Sequence, residues 1–203
     1  MILWLINSMI LTDRFASALV YANQLHKTQI RKGTNVPYIS HLLSVTALVL
    51  EDGGDEDQAI AALLHDAIED QGGEATRQEI WSKFGQKVAA IVEGCTDADT
   101  IPKPPWRERK EKYIEHFRHA PPEVRRVALA DKLHNARSIL SDWYRLGDEI
   151  WNRFTGKKEG SLWYYRSLVE ASKAAGGFCY LTEELDRVVS QLEQLALLNQ
   201  GMN

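Results

Sequence analysis

Residues 60–70 read Ile-Ala-Ala-Leu-Leu-His-Asp-Ala-Ile-Glu-Asp. At about 100° per residue on a helix, Ile60, Ala61, Leu63, Leu64, Ala67 and Ile68 fall on one arc, while His65, Asp66, Glu69 and Asp70 share the other over roughly 140°. The spacing predicts an amphipathic helix whose polar face carries one imidazole and three carboxylates. Taken alone, such a face is what a solvated helix surface looks like.

Helix signals bracket the segment. Asp55 is an N-cap and Gln71-Gly72-Gly73 a stop, so one unbroken helix is expected between them. Upstream, Thr12-Asp13 opens a helix with Phe15, Leu19, Ala22 and Leu25 along one side, a loop covers residues 28–37, and a second helix runs from about Ile39 to Glu51, closed by Gly53-Gly54. Downstream, Thr76 and Glu79 read as a capping box for a short helix stopping at Gly85, and residues 86–96 read as another. Pro102, Pro104 and Pro105 interrupt. A helix follows over 107–118, and Pro121-Pro122 open a long one reaching about Leu146 before Gly147. Residues 161–175 and 182–199 read as two more. The last carries Leu185, Val188, Leu192 and Leu195 on one side, a stripe that suits the core of its own domain or, alternatively, a homodimer contact. No strand alternation, Gly-rich phosphate loop or repeat interrupts the pattern, so the expected class is all-α, a helical bundle with extra C-terminal helices at about 148–199.

The 203 residues suit a single domain, 1–203, and 44% apolar with 26% charged residues is a globular balance. The net charge of -4 is spread as interspersed signs, which argues against a nucleic-acid polymer as partner. Two cysteines, Cys95 and Cys179, suggest neither a disulfide framework nor a thiolate metal site, and the apolar start lacks the features of an export signal or a membrane span. A cytoplasmic protein with no membrane partner is expected, translation starting at Met1 or Met9.

Two other apolar runs contribute one metal-capable residue each: His41 in Pro-Tyr-Ile-Ser-His-Leu-Leu and Asp131 in Val-Ala-Leu-Ala-Asp-Lys-Leu-His-Asn. A carboxylate in such a run needs a cation or a metal, because burying it unpaired is costly. His41, His65, Asp66 and Asp131 together make a mixed N/O donor set suited to one divalent Mn, Fe, Co or Zn, with a structural ion pair at Asp131 as the alternative. Such an ion acidifies water, and Glu69 and Asp70 stand one turn on as proton-transfer groups. His116 and His119 sit in a charged helix and read as surface residues, His26 and His134 as structural or supporting ones.

In this order, His41, His65-Asp66 and Asp131 resemble the H…HD…D pattern of the HD-domain phosphohydrolases. More narrowly, Arg31-Lys32, Pro37-Tyr38-Ile39-Ser40-His41, Ala62-Leu63-Leu64-His65-Asp66 with Glu69-Asp70, Phe84-Gly85, Thr96-Asp97 and Leu129-Ala130-Asp131-Lys132-Leu133-His134-Asn135 resemble the RelA/SpoT hydrolase domain over residues 13–140. The resemblance implies a stand-alone small alarmone hydrolase that removes the 3′-diphosphate of (p)ppGpp- or (p)ppApp-type nucleotides as pyrophosphate. It implies His41, His65, Asp66 and Asp131 as ligands of one ion, usually Mn²⁺, and Glu69 and Asp70 as the groups that position and activate water. It further places Arg31 against the base, Lys32 near the phosphates, Asn135 and Ser138 near the nucleoside, and makes Lys103 and Arg153 weaker substrate contacts. Leu42 stands where the family usually has Pro, and the tail has only a loose W…R…Y match. A broader nucleotidase or phosphodiesterase, or a non-catalytic alarmone-binding protein, remains an alternative reading.

Overall fold

The computed structural model describes residues 10–97, 104–176 and 180–198, and these are helical almost throughout. The core is built around α3 (Glu56–Leu64), which packs against α1 (Asp13–Leu25), α2 (Ile39–Glu51), α6 (Gln86–Cys95) and α8 (Pro122–Leu146). Ala59, Ile60, Ala61, Ala62, Leu63 and Leu64 are all fully buried. From Ala59 to Leu64 the helix is surrounded by helices and apolar all round, so the two-arc expectation does not describe it, while Glu56 and Asp57 in its first turn stay partly exposed. Burying each large side chain such as Leu63 contributes about 1.5–3 kcal/mol.

The expected single helix over 55–72 is instead two. Asp55 caps α3 as expected, accepting the Gln58 N–H at 2.9 Å. Yet α3 stops at Leu64, and α4 (Ala67–Gln71) begins after Asp66, whose backbone has φ -98° and ψ -1°. At this break the His65 ring bonds through Nδ1 to the Ala62 carbonyl at 2.8 Å, and so uses one of the carbonyls left over at a helix end. The polar residues of the motif therefore sit at a helix joint.

A second departure concerns Thr76 and Glu79. Helix α5 (Gly73–Phe84) starts four residues earlier than a cap at Thr76 would require, Thr76 is buried within it, and Glu79 accepts a hydrogen bond from the Tyr21 hydroxyl at 2.9 Å. The stop at Gly85 is as expected: its φ of +91° ends α5 and lets the chain turn directly into α6.

α8 begins at Pro122 and ends at Gly147, φ +56°, as its punctuation predicts. α7 (Trp106–His119) lies against α9 (Lys157–Ala174), while α9, the 3₁₀ segment Gly147–Arg153 and α10 (Tyr180–Leu198) pack on α8. Leu185, Val188 and Leu192 on α10 are buried in this packing and Leu195 half-buried, so the stripe is core. No described helix is long and apolar enough to cross a membrane.

Candidate metal centre and adjoining cavity

Three helices bring four predicted residues to one point. His41 comes from the first turn of α2, His65 and Asp66 from the α3–α4 joint, and Asp131 from the middle of α8. His41 Nε2 lies 3.6 Å from Asp66 Oδ2 and 3.2 Å from Asp131 Oδ1, and His65 Nε2 lies 3.0 and 3.6 Å from the same two oxygens. His41, His65 and Asp131 are buried, Asp66 partly so. His65 Nε2 is nonetheless a buried atom without a hydrogen bond of good geometry. An imidazole whose Nδ1–H is committed to a backbone carbonyl presents an Nε2 lone pair, which is the donor a metal requires. His41, His65 and Asp66 place one donor atom each within 4.8 Å of one another, and with the orphaned His65 nitrogen and Asp131 Oδ1 3.2 Å from His41 Nε2 the set fits a divalent ion.

The electrostatics point the same way. Burial alone would lower the His65 imidazole, but Asp66 and Asp131 outweigh it and hold it well above its ordinary value, so that a bound ion would displace a proton from Nε2. Burial would likewise raise Asp66 and Asp131; His65 and His41 hold Asp66 well below the usual carboxylate range, and Lys132 with the two imidazoles does so for Asp131. The cluster is thus a set of ionised carboxylates around a cation position.

Each ligand candidate is fixed by a neighbour. Tyr38 donates its hydroxyl to Asp66 Oδ2 at 2.5 Å, Lys132 Nζ and Asn135 Nδ2 donate to the two oxygens of Asp131, each at 2.5 Å, and His134 Nδ1 lies 2.7 Å from His41 Nδ1. Tyr38, Lys132, Asn135 and His134 also line a cavity of about 890 Å³ that opens beside the cluster. The ligand candidates themselves stand one layer behind that wall.

The cavity gathers most of the remaining predicted residues. Arg31 and Lys32 line it, as do Glu69, Asn135, Ser138 and Arg153. Arg31 Nη2 donates to Asn135 Oδ1 at 2.9 Å and to Ser138 Oγ at 3.5 Å, so the loop after α1 and one face of α8 form one polar edge. Arg153 pairs with Asp142 at 2.6 Å and lies across Gly33, whose φ is +74° and where a Cβ would meet Arg153 Nε at 2.8 Å. Asp70 does not line the cavity: it is exposed and accepts from Gln29 Nε2 at 2.8 Å. Burial raises the Asp70 carboxyl, Gln29 opposes this, and Asp66 and Glu69 raise it further. Such a carboxylate is a better proton acceptor than an ordinary one. Lys103 lies outside the described residues, and His116 and His119 are exposed.

Of the other wall residues, Asp97 belongs to the Thr96-Asp97 motif of the resemblance, whereas Arg109 and Lys110 carried no sequence signal. Asp97 accepts from Arg109 Nη1 and from Lys110 Nζ, the latter at 2.8 Å, and its backbone N–H reaches Glu69 Oε2 at 3.4 Å. Burial lowers the Lys110 ammonium, and neighbouring Lys132 adds to this. Arg109 and Lys110 are two of many charges on α7, and only the fold separates them from their solvated neighbours.

Residues 18–161 match the HD domain family. The guanosine-3′,5′-bis(diphosphate) 3′-pyrophosphohydrolase MESH1 of Xenopus tropicalis is 43% identical over 122 residues, 59% of this chain and 65% of that protein's length. The bifunctional (p)ppGpp synthase/hydrolase SpoT of Escherichia coli (strain K12) is 36% identical over 134 residues, 63% of this chain and 18% of SpoT. The matched stretch thus spans less than two thirds of these curated relatives. The solved structure of a metazoan ortholog of SpoT, described as hydrolysing ppGpp, superposes with a TM-score of 0.73 at 26% identity, covering 91% of this chain and 98% of that one. The matched residues contain the whole His41, His65-Asp66, Asp131 cluster, and the chain belongs to the HD domain family.

Proposed function

We propose that the chain hydrolyses the 3′-diphosphate of (p)ppGpp- or (p)ppApp-type nucleotides and releases pyrophosphate. The observation that carries this reading is the junction of the His/Asp cluster with a cation-rich cavity of about 890 Å³ through Tyr38, Lys132 and His134. That volume is of the order that ligand pockets have. Its cations, among them Arg31, Lys32, Arg109, Lys110 and Lys132, suit a ligand with several phosphates. The names of MESH1 and SpoT supply the reaction type.

In this reading His41, His65, Asp66 and Asp131 hold one divalent ion, Mn²⁺, which would supply Lewis-acid stabilisation of phosphoryl charge and lower the pKa of water. Glu69 and Asp70 orient a water and accept its proton. Its oxygen joins the phosphorus bonded to O3′, the P–O3′ bond breaks, and O3′ leaves with a proton as the nucleotide 3′-hydroxyl. Arg31 lies against the base, Asn135 and Ser138 against the nucleoside, and Lys32 near phosphate, with Arg153 as a further contact; Lys103, outside the described residues, is a weaker phosphate candidate from the sequence alone. The packing of α9 and α10 on α8 supports reading the motif core and the C-terminal helices as one domain. A cytoplasmic setting is part of the same reading, supported by a cysteine content too low for a disulfide framework.

The test is incubation of the pure protein with Mn²⁺ and, separately, ppGpp and ppApp, the products being resolved by anion exchange. Pyrophosphate and the matching 5′-diphosphate are expected from at least one substrate. Release of pyrophosphate from neither would refute the reading.

A further inference from the structure

A short hairpin follows α1, and two of its residues grip two carboxylates at once. The Tyr38 N–H donates to the Gln29 carbonyl at 2.9 Å, beside an antiparallel bridge between Ile30 and Pro37. From this backbone pair the Tyr38 hydroxyl reaches Asp66 Oδ2, and Gln29 Nε2 reaches Asp70 Oδ2. Asp66 and Asp70 stand one turn apart, with the Asp70 N–H donating to the Asp66 carbonyl at 2.9 Å. A cross-strand pair thus matches an i,i+4 pair, Tyr38 to the ligand candidate and Gln29 to the proton acceptor.

Gln29 is itself held. Its amide oxygen accepts from His26 Nδ1 at 2.6 Å and from Gln71 Nε2 at 2.6 Å. A carbonyl oxygen only accepts, so the His26 proton is on Nδ1. Turning the amide over would set its oxygen against the Asp70 carboxylate and its NH₂ against a donor, so His26, Gln71 and Asp70 fix one orientation between them. His26 is buried and stacked on Tyr38, with ring centroids 5.3 Å apart and planes at 23°. One buried imidazole therefore braces both arms of the hairpin.

Asp70 is exposed, and a terminal carboxylate torsion is broad when nothing holds it. Proton transfer demands a narrow geometry. We infer that Gln29, locked by His26 and Gln71, is a positioning residue for the Asp70 carboxylate. This rests on the role given to Asp70 in the proposed hydrolysis.

Gln29→Met keeps the length of the side chain and removes the donor. Its expected effect is a fall in kcat of about 10- to 100-fold, the usual size for loss of a supporting hydrogen bond, with KM and bound metal unchanged. His26→Leu should give the same split. His26→Asn, whose amide NH₂ can stand where Nδ1–H stood, should recover most of the activity, which a role in folding alone does not require. A crystal structure of Gln29→Met supplies a readout independent of substrate, with the Asp70 carboxylate expected to turn away from its wild-type direction. Unchanged kcat in Gln29→Met, or an Asp70 carboxylate that keeps its place, overturns the inference. If the wild type itself releases no pyrophosphate, the proposed function falls, and the crystal structure alone decides whether Gln29 orients Asp70.

Discussion

His41 and His134 face each other Nδ1 to Nδ1 at 2.7 Å, one from α2 and one from α8. Only one of the two nitrogens can carry the proton between them. Burial, with His41 and Arg31 nearby, lowers the His134 imidazole to about 4, so it is neutral near pH 7 and its Nδ1 is able to accept when His41 serves a metal through Nε2. His41 then donates from Nδ1 and turns an Nε2 lone pair toward Asp66 and Asp131. His134→Leu should weaken divalent-ion affinity by about 10- to 100-fold. His134→Asn, with an amide oxygen at the acceptor position, should lose less. Calorimetric titration with Mn²⁺ measures both, and equal affinity in wild type and His134→Leu would show that this contact does nothing for the ion.

Because the cluster exists only in the folded chain, a bound ion should raise stability by mass action, by about 2.7 kcal/mol at a free concentration a hundred times Kd. Chelator-treated protein is expected to melt lower, and added Mn²⁺ to restore it. In His65→Ala the metal-dependent shift should vanish and bound metal fall. Metal content equal to wild type in that variant would mean that the four ligands are misassigned.

Gly94, in α6, approaches α8 so closely that a Cβ would stand 2.8 and 2.9 Å from Val124 Cγ1 and Cγ2. In an open helix Gly→Ala gains about 1 kcal/mol of propensity. Here the added methyl meets a buried β-branched side chain with little rotamer freedom, and overpacking of that kind costs about 1–3 kcal/mol. Gly94→Ala should therefore be neutral to destabilising by up to about 2 kcal/mol in urea unfolding, and Val124→Ala in the same chain should recover part of the loss. A net gain from Gly94→Ala alone would mean that the helices separate freely.

Helix punctuation and the four metal-capable residues were legible because each is local: Pro122 and Gly147 bound α8, Asp55 caps α3, and His41, His65-Asp66 and Asp131 stand out from apolar runs. The break at His65-Asp66 was not legible, since nothing in Leu-Leu-His-Asp-Ala-Ile disfavours a helix and the turn depends on contacts made from other helices. The same limit explains the α3 surface: an apolar and a polar arc in sequence cannot reveal that four helical neighbours will cover Ala61 and Ala62 as well. Tyr38, Gln29, Asp97 and Lys110 acquire their roles only through partners 13 to 41 residues away, such as Asp66, Asp70 and Lys110 itself. The capping signal at Thr76 failed for the converse reason, a good local motif overridden by a helix that had already begun at Gly73.

Asp55 offers a pH-dependent test of the core helix. Burial would raise its carboxyl, but Lys87 and the Gln58 N–H outweigh this and hold it below its ordinary 3.8. A group depressed in the folded state stabilises fully above its unfolded pKa and loses that contribution as pH falls through the folded value. The side chains of Asp55 and Lys87 are 49% and 50% exposed, so their ion pair is screened and the N-cap bond carries most of the effect. Asp55→Ala should cost about 1 kcal/mol at pH 7. The gap between wild type and variant should be little changed by 0.5 M salt, and should close once the pH drops below about 3.8 toward the folded pKa. Urea unfolding at pH 7 and pH 2.5 measures it. A gap that salt abolishes would assign the stabilisation to Lys87 instead, and a gap that persists undiminished at pH 2.5 would show that the carboxylate charge is not what caps α3.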